Sequence, residues 1–427
     1  MYRGAAVSPR ATLSAVLPLI AVLVLTGCGE RYDPEAEAAA QQISPESCVD
    51  TEGDTVKVGL LNSLSGTMAV SETTVNRSLN MAIDEINADG GVLGKQIEPV
   101  TEDGASEPTI FAERASKLIR QDCVAATFGG WTSASRKAML PVFEAQNSLL
   151  FYPVQYEGLE ASPNIFYTGA TTNQQIIPAL DWMREQGHKK IFLVGSDYVF
   201  PRTANRIINA YAEAHDMEVV GEEYVPLGST EFSTIVNKAM ASDADAVFNT
   251  LNGDSNVAFF RQYNAVGLDA QSLPVMSVSI AEEEVPGIGV DNLEGQYVAW
   301  DYYQTVDSPD NQEFVTNFKD RYGQDQVTSD PMEAAYTSVY LWKDMVEEAG
   351  SFDVAAVQEA ADTGGSEFDA PEGQVSVDGE NQHISKTPRI GRIREDGLID
   401  TVWQAPEPVA PDPFLDTYSW AGSINGA

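Results

Sequence analysis

Residues 128–158 read FGGWTSASRKAMLPVFEAQNSLLFYPVQYEG. Trp131, Thr132 and Ser133 follow two glycines, and Tyr152, Val154, Gln155 and Tyr156 follow the next apolar segment. Flat aromatic faces beside hydroxyls and an amide suit the holding of a small polar ligand. Ser133 or Ser135 also fits an N-cap, and capping alone would account for either hydroxyl. Trp131 has no such local duty and reads as a ligand platform.

Three later segments offer matching chemistry. GSDYVFPRTAN (195–205) carries Tyr198 and Phe200 in alternation, TLNGDSN (250–256) carries Asn252, and SVSIAEEEV (277–285) carries Ser279 and Glu282. Each alone could be turn chemistry; together they describe an aromatic-walled polar cleft. Enzyme motifs fail on mechanism. The glycines at 90, 91 and 94 follow a helix and continue from Lys95 into Gln96, so no Walker loop forms there. No G-x-G-x-x-G follows a strand, and no G-x-S-x-G elbow exists. The three histidines, His188, His215 and His383, lie among polar residues and read as surface groups, so neither a zinc site nor a Ser-His-Asp triad finds support. The spacing of the cysteines suggests no metal, and no cofactor is implied.

The elements positioning these residues follow from periodicity. Strand alternation at 55–62 is followed by a helical face at 77–88, a strand at 96–101, a helix at 109–121 and a strand at 123–128. The rhythm restarts with a helix at 174–186 and strands at 190–195, 218–224 and 246–250. Helices at 203–215, 233–241 and 256–266 separate them, and 273–277 continues the pattern. Such β-α-β alternation argues for an α/β fold with two parallel, doubly wound halves in series, joined near 168–173. Open sheets of this kind hold ligands at the strand carboxyl ends, where these loops lie. Later helices at 311–322 and 332–349 and strands at 373–377 and 390–394 would pair with both halves only if the chain crosses between them more than once. The proline-rich stretch 406–413 reads as surface chain.

The N-terminus bears on compartment. Arg3 and Arg10 precede an apolar run, 11–25, that ends in Leu25-Thr26-Gly27-Cys28. This is a signal-peptide pattern, too short for a comfortable membrane span. Cys28 resembles a lipobox cysteine, acylated after cleavage; the rival is ordinary secretion with Cys28 as a chance thiol. Residues 30–47 read as a flexible tether. Cys48 and Cys123 can form a disulfide in an oxidising compartment, and a buried free thiol at Cys123 is the alternative. After removal of the leader the chain is too long for one core, which predicts two domains. Sixty-four acidic and 25 basic residues give a formal charge of −39. Nucleic acid and anionic membrane surfaces would be repelled. The dispersed carboxylates suit a solvated surface in high salt.

Residues 57–62, AIDEINADGGVLGK (82–95), GGWTSASRKAMLPVFE (129–144) and GSDYVFPRTAN (195–205) resemble type I periplasmic binding proteins. With YPVQYEG (152–158), the resemblance is to their urea and short-chain amide branch. It implies a two-lobed fold with several hinge crossovers. Residues 1–27 would be a lipoprotein signal peptide and 28–53 a tether. Lobe 1 would take 54–170 and 302–365, lobe 2 171–301 and 366–404, and 405–427 a tail. It implies that Ser133 hydrogen-bonds a ligand amide, that Trp131 and Tyr152 wall the pocket, that Tyr198 and Phe200 close it, and that Asn252 and Ser279 line it. Val154 and Gln155 stand where the amide sensor of this branch carries a threonine and a proline. Glu282 aligns with a family acid.

The implied protein is a lipid-anchored extracytoplasmic receptor, not an enzyme, that captures urea and passes it to an ABC permease. Urea's acceptor oxygen and four N–H directions would meet Ser133, Gln155, Asn252 and Glu282 in a dry site. Short amides and amino acids are rival ligands, and an envelope sensor is a rival role. An amino acid needs a cation for its carboxylate; Arg136, beside Lys137 in a helix, reads as a surface residue instead.

Overall fold

The computed structural model describes residues 47–364 and 367–424, so residues 1–27, Cys28 and most of the expected tether lie outside the described residues. Two sheets form. The first contains β1 (Thr55–Asn62), β2 (Gln96–Asp103), β3 (Thr127–Gly129), β4 (Leu150–Tyr152) and β5 (Ile165–Tyr167). The second contains β6 (Lys190–Ser196), β7 (Glu218–Val225), β8 (Ala246–Thr250), β9 (Val275–Ser277) and β10 (Tyr297–Trp300). These strands are parallel within each sheet, in the order 2-1-3-4-5 and its counterpart 7-6-8-9-10. Val58, Leu60, Phe128, Phe151 and Phe166 are buried with helical residues on both faces, which explains their nearly continuous apolar runs.

Both sheets gain further strands at one edge. β11 (Glu367–Ala370), β12 (Gly373–Asp378) and β13 (His383–Ile384) extend the first beyond β5. β14 (Arg389–Ile393) and β15 (Ile399–Gln404) extend the second beyond β10. β13 runs parallel to its neighbour β5 in the first sheet, and the remaining pairings of these strands are antiparallel. The sheets are therefore mixed at their margins. Residues 367–384 join the first lobe, not the second as the expected boundary at 366 implied. Val375, Val377 and Ile384 bury in the first core, and β13 aligns with β5. Alternation announces a strand but not its neighbour.

The chain thus crosses between lobes after β5, after β10 and after β13. Helices Pro309–Tyr322 and Asp330–Ala349 pack on the first sheet, through Phe314, Phe318, Val339 and Trp342. The crossings meet around buried charges. Asp330 Oδ2 accepts from the backbone N–H groups of Asp301 and Tyr302, each at 2.9 Å. Lys386 Nζ lies 3.0 Å from Glu372 Oε2, and Arg389 donates to the Asp301, Thr387 and Glu372 carbonyls.

The tail departs from expectation. Pro406–Pro408 are exposed, but Val409 bridges to Lys386, Pro413 O accepts from Leu159 N at 2.7 Å, and Leu415 and Ala421 bury in the second lobe. A sequence rich in proline still offers carbonyls, and here they are used. Cys48 and Cys123 are joined by a disulfide with Cα atoms 5.3 Å apart. Among the described residues no helix is long and apolar enough to cross a membrane.

Candidate functional site

The glycine pair ahead of Trp131 is required by space. Gly129 has φ +127°, and a Cβ there would run into Leu61 O and Asn62 at the end of β1. Gly130 follows at φ +85°. The turn delivers Trp131 and Thr132 to the strand ends. Thr132 is the N-cap of helix Ser133–Gln146; its hydroxyl accepts from Ser135 N at 3.1 Å. Capping therefore falls to neither serine named from the sequence, and Ser133 is free for another partner.

That partner is a buried ionic network that sequence reasoning missed. Arg136 is fully buried, not on the surface. Its Nη1 donates to Ser133 Oγ (3.0 Å), Nη2 to Glu157 Oε1 (3.1 Å) and Nε to Glu160 Oε1 (2.7 Å). Ser133 Oγ donates to Glu157 Oε2. The guanidinium sits 5.1 Å from the Tyr152 ring centroid and 4.4 Å from that of Tyr156, within cation–π range of two rings that meet edge to face. Lys137 Nζ reaches Glu160 Oε2 at 2.7 Å. Burial works to raise the Glu160 carboxyl, yet Arg136 and Lys137 hold it down at about 2. Two cations thus face two carboxylates. The legible signal was spacing: Ser133 and Arg136 lie three apart on one helical face.

His383 is also buried rather than exposed. It stacks on Tyr167 at 4.3 Å, and its Nε2 lies 2.6 Å from the Tyr156 hydroxyl. Desolvation lowers it to about 3, so the ring is neutral.

The lobes meet directly over these loops. Trp131 Nε1 donates to Asn252 Oδ1 at 3.2 Å, and Gln155 Nε2 donates to Val278 O (2.8 Å) and Ser279 Oγ (2.9 Å). Tyr152 donates its hydroxyl hydrogen to Trp131 O. Tyr198, half-buried at the start of helix Val199–Ala214, comes from the second lobe; burial raises its hydroxyl well above the usual range, with Tyr152 and Glu157 adding to the rise. A groove of about 330 Å³ opens beside it, walled by Gly66, Thr67, Ser106, Thr132, Tyr198 and Leu227.

Trp131, Ser133, Tyr152, Gln155, Tyr198, Asn252 and Ser279 are therefore brought together. Three named residues are not. Phe200 packs in the core of the second lobe, because residue 200 lies inside a helix rather than a strand, so the alternation with Tyr198 was misleading. Val154 buries in the core of the first lobe. Glu282 points to the hinge: its Oε1 accepts from Gln304 N at 2.8 Å, and desolvation raises its carboxyl to about 8, with Asp330 and Glu284 adding to it. Asn62, buried with both amide atoms unpartnered beside Gly129, was not named from the sequence; its place at the end of β1 was the available signal.

The chain resembles known binding proteins over most of its length. Residues 56–420 match the family model described as periplasmic binding protein domain. A Leu/Ile/Val-binding protein homolog from Brucella melitensis is 27% identical over 342 residues, covering 78% of this chain and 86% of that protein. An ABC transporter solute-binding protein from R. palustris, solved with 4-hydroxybenzoate, is 26% identical with a TM-score of 0.76 and covers 83% of this chain and 98% of its own. A branched-chain amino acid transporter substrate-binding protein from Streptococcus pneumoniae, solved with isoleucine, has a TM-score of 0.73 at 23% identity, covering 84% and 100%. These relatives and this fold are those of solute-binding proteins and not of enzymes. The chain belongs to the periplasmic binding protein family.

Proposed function

We propose that this protein is the extracytoplasmic solute-binding component of an ABC importer, anchored through lipid on Cys28, and that it captures urea or a close amide between its lobes for delivery to a membrane permease. The observation that carries the ligand reading is the polarity of the site. Tyr152 has committed its hydroxyl hydrogen to Trp131 O, and Gln155 has committed its amide hydrogens to the second lobe. Gln155 Oε1 remains buried and unpartnered. These groups meet a ligand as acceptors, which suits one rich in N–H. The Tyr198 hydroxyl makes no hydrogen bond among the described residues and suits the ligand's carbonyl.

A branched-chain amino acid is the second reading, favoured by the names of the curated relatives. Against it, the guanidinium of Arg136 is already engaged by two carboxylates. Calorimetric titration of the mature protein in high salt with urea, acetamide, formamide, leucine and 4-hydroxybenzoate separates the two. Heat with leucine and none with urea or any amide would overturn the proposal.

A further inference from the structure

Ser133 has one hydroxyl hydrogen and two lone pairs. Its neighbours fix how these are used. Arg136 can only donate, and its Nη1 fills one lone pair from 3.0 Å. The Glu157 carboxylate, ion-paired with Arg136 Nη2 at 3.1 Å, can only accept, so it receives the hydroxyl hydrogen bond. All three side chains are essentially buried, so water offers no alternative partner. The Tyr152 hydroxyl also lies against Ser133 but has given its hydrogen to Trp131 O, so it fills no lone pair, and what Ser133 can present to a ligand is a single lone pair.

We propose that Glu157, held by Arg136, sets Ser133 as an acceptor and thereby makes this site select neutral N–H-bearing ligands over carboxylates. The inference rests on the site assigned above but not on urea being its ligand. A carboxylate at Ser133 would find no hydrogen to accept, would face the Glu157 charge across the hydroxyl, and would find Arg136 already paired on both sides. An amide N–H at the same place completes the remaining lone pair. Glu157 and Arg136 are positioning residues, since they act through Ser133.

Glu157→Gln tests this sharply. Arg136 Nη2 keeps the Gln oxygen at the former Oε1 position, which turns the Gln amide N–H toward Ser133. Ser133 Oγ then accepts from both neighbours and releases its hydrogen to the cleft. Calorimetry at pH 7 with the isosteric pair acetamide and acetate reads the outcome. The wild type should favour acetamide by on the order of 100-fold. Glu157→Gln should narrow that ratio by at least about tenfold through weaker amide and stronger acetate binding. Ser133→Ala should narrow it through weaker amide binding alone. An unchanged ratio in folded Glu157→Gln would overturn the proposal. Where that variant fails to fold, an unchanged ratio in Ser133→Ala does so instead, as does equal binding of the pair by the wild type. Acetamide bound without urea would sink the urea reading and leave this inference standing; leucine or 4-hydroxybenzoate bound with neither urea nor acetamide would end both.

Discussion

Trp131 of the first lobe donates its indole N–H to Asn252 Oδ1 of the second, 3.2 Å away, with both residues almost wholly removed from water. The bond exists only when the lobes are together, so it reports closure directly. Removing either partner should weaken closure and ligand affinity. A neutral hydrogen bond contributes about 1 kcal/mol net. Trp131→Phe and Asn252→Ala should each lower affinity, and the double variant should lose less than the sum of the two. Strict additivity in the titrations would show that the bond does not couple the lobes.

Gln155 reaches across the same cleft with both amide hydrogens. Gln155→Ala removes the cross-lobe donors and the unpartnered oxygen together. It should cost roughly 10- to 100-fold in affinity for an N–H-rich ligand, since buried partners are left unpaired. The melting temperature without ligand should change little, because Gln155 bridges the lobes rather than filling either core. A large loss of unliganded stability with unchanged affinity would contradict this.

The disulfide closes a long loop between Cys48 and Cys123, 75 residues apart in sequence. Constraint of the unfolded chain by a loop of that size corresponds to about 4 kcal/mol in the chain-entropy model. Paired Cys48→Ala and Cys123→Ala substitution should lower the denaturation midpoint accordingly and leave ligand affinity unchanged, since the bond lies at the strand amino ends, away from the cleft. Altered affinity at equal stability would show a link to the site.

The pH dependence of stability has a definite sign. Desolvation raises the carboxyls of Glu72, Glu282 and Glu333 to about 8 from 4.5, so the folded state holds protons that the unfolded chain has released. Their contribution is complete below pH 4.5 and is lost as pH rises through 8. Thermal melts should therefore fall between pH 5 and pH 8.5, by roughly 5 °C or more for a protein of this size. Glu282→Gln should flatten that slope. A melting temperature rising over this window would contradict these shifts.

Much of the fold was legible because its signals are local. The strands at 55–62 and 246–250 and the helix at 233–241 lie where periodicity placed them. Trp131, Ser133 and Tyr152 were legible as loop residues at strand ends, which parallel sheets bring to one edge. Phe200 was misread because alternation over three residues fits a helix start as well as a strand.

The sequence by itself determined an α/β chain with two restarting halves and a set of polar loops at their strand ends, because side-chain period and turn chemistry act over a few residues. Tertiary structure decided the rest. It sent residues 367–384 to the first sheet, threaded the tail between Lys386 and Leu159, and turned Glu282 toward the hinge. Above all it buried Arg136 against Glu157, 21 residues away, so that the hydroxyl of Ser133 points into the protein. The direction of a hydroxyl depends on which charges surround it, and those charges come together only when the chain has folded.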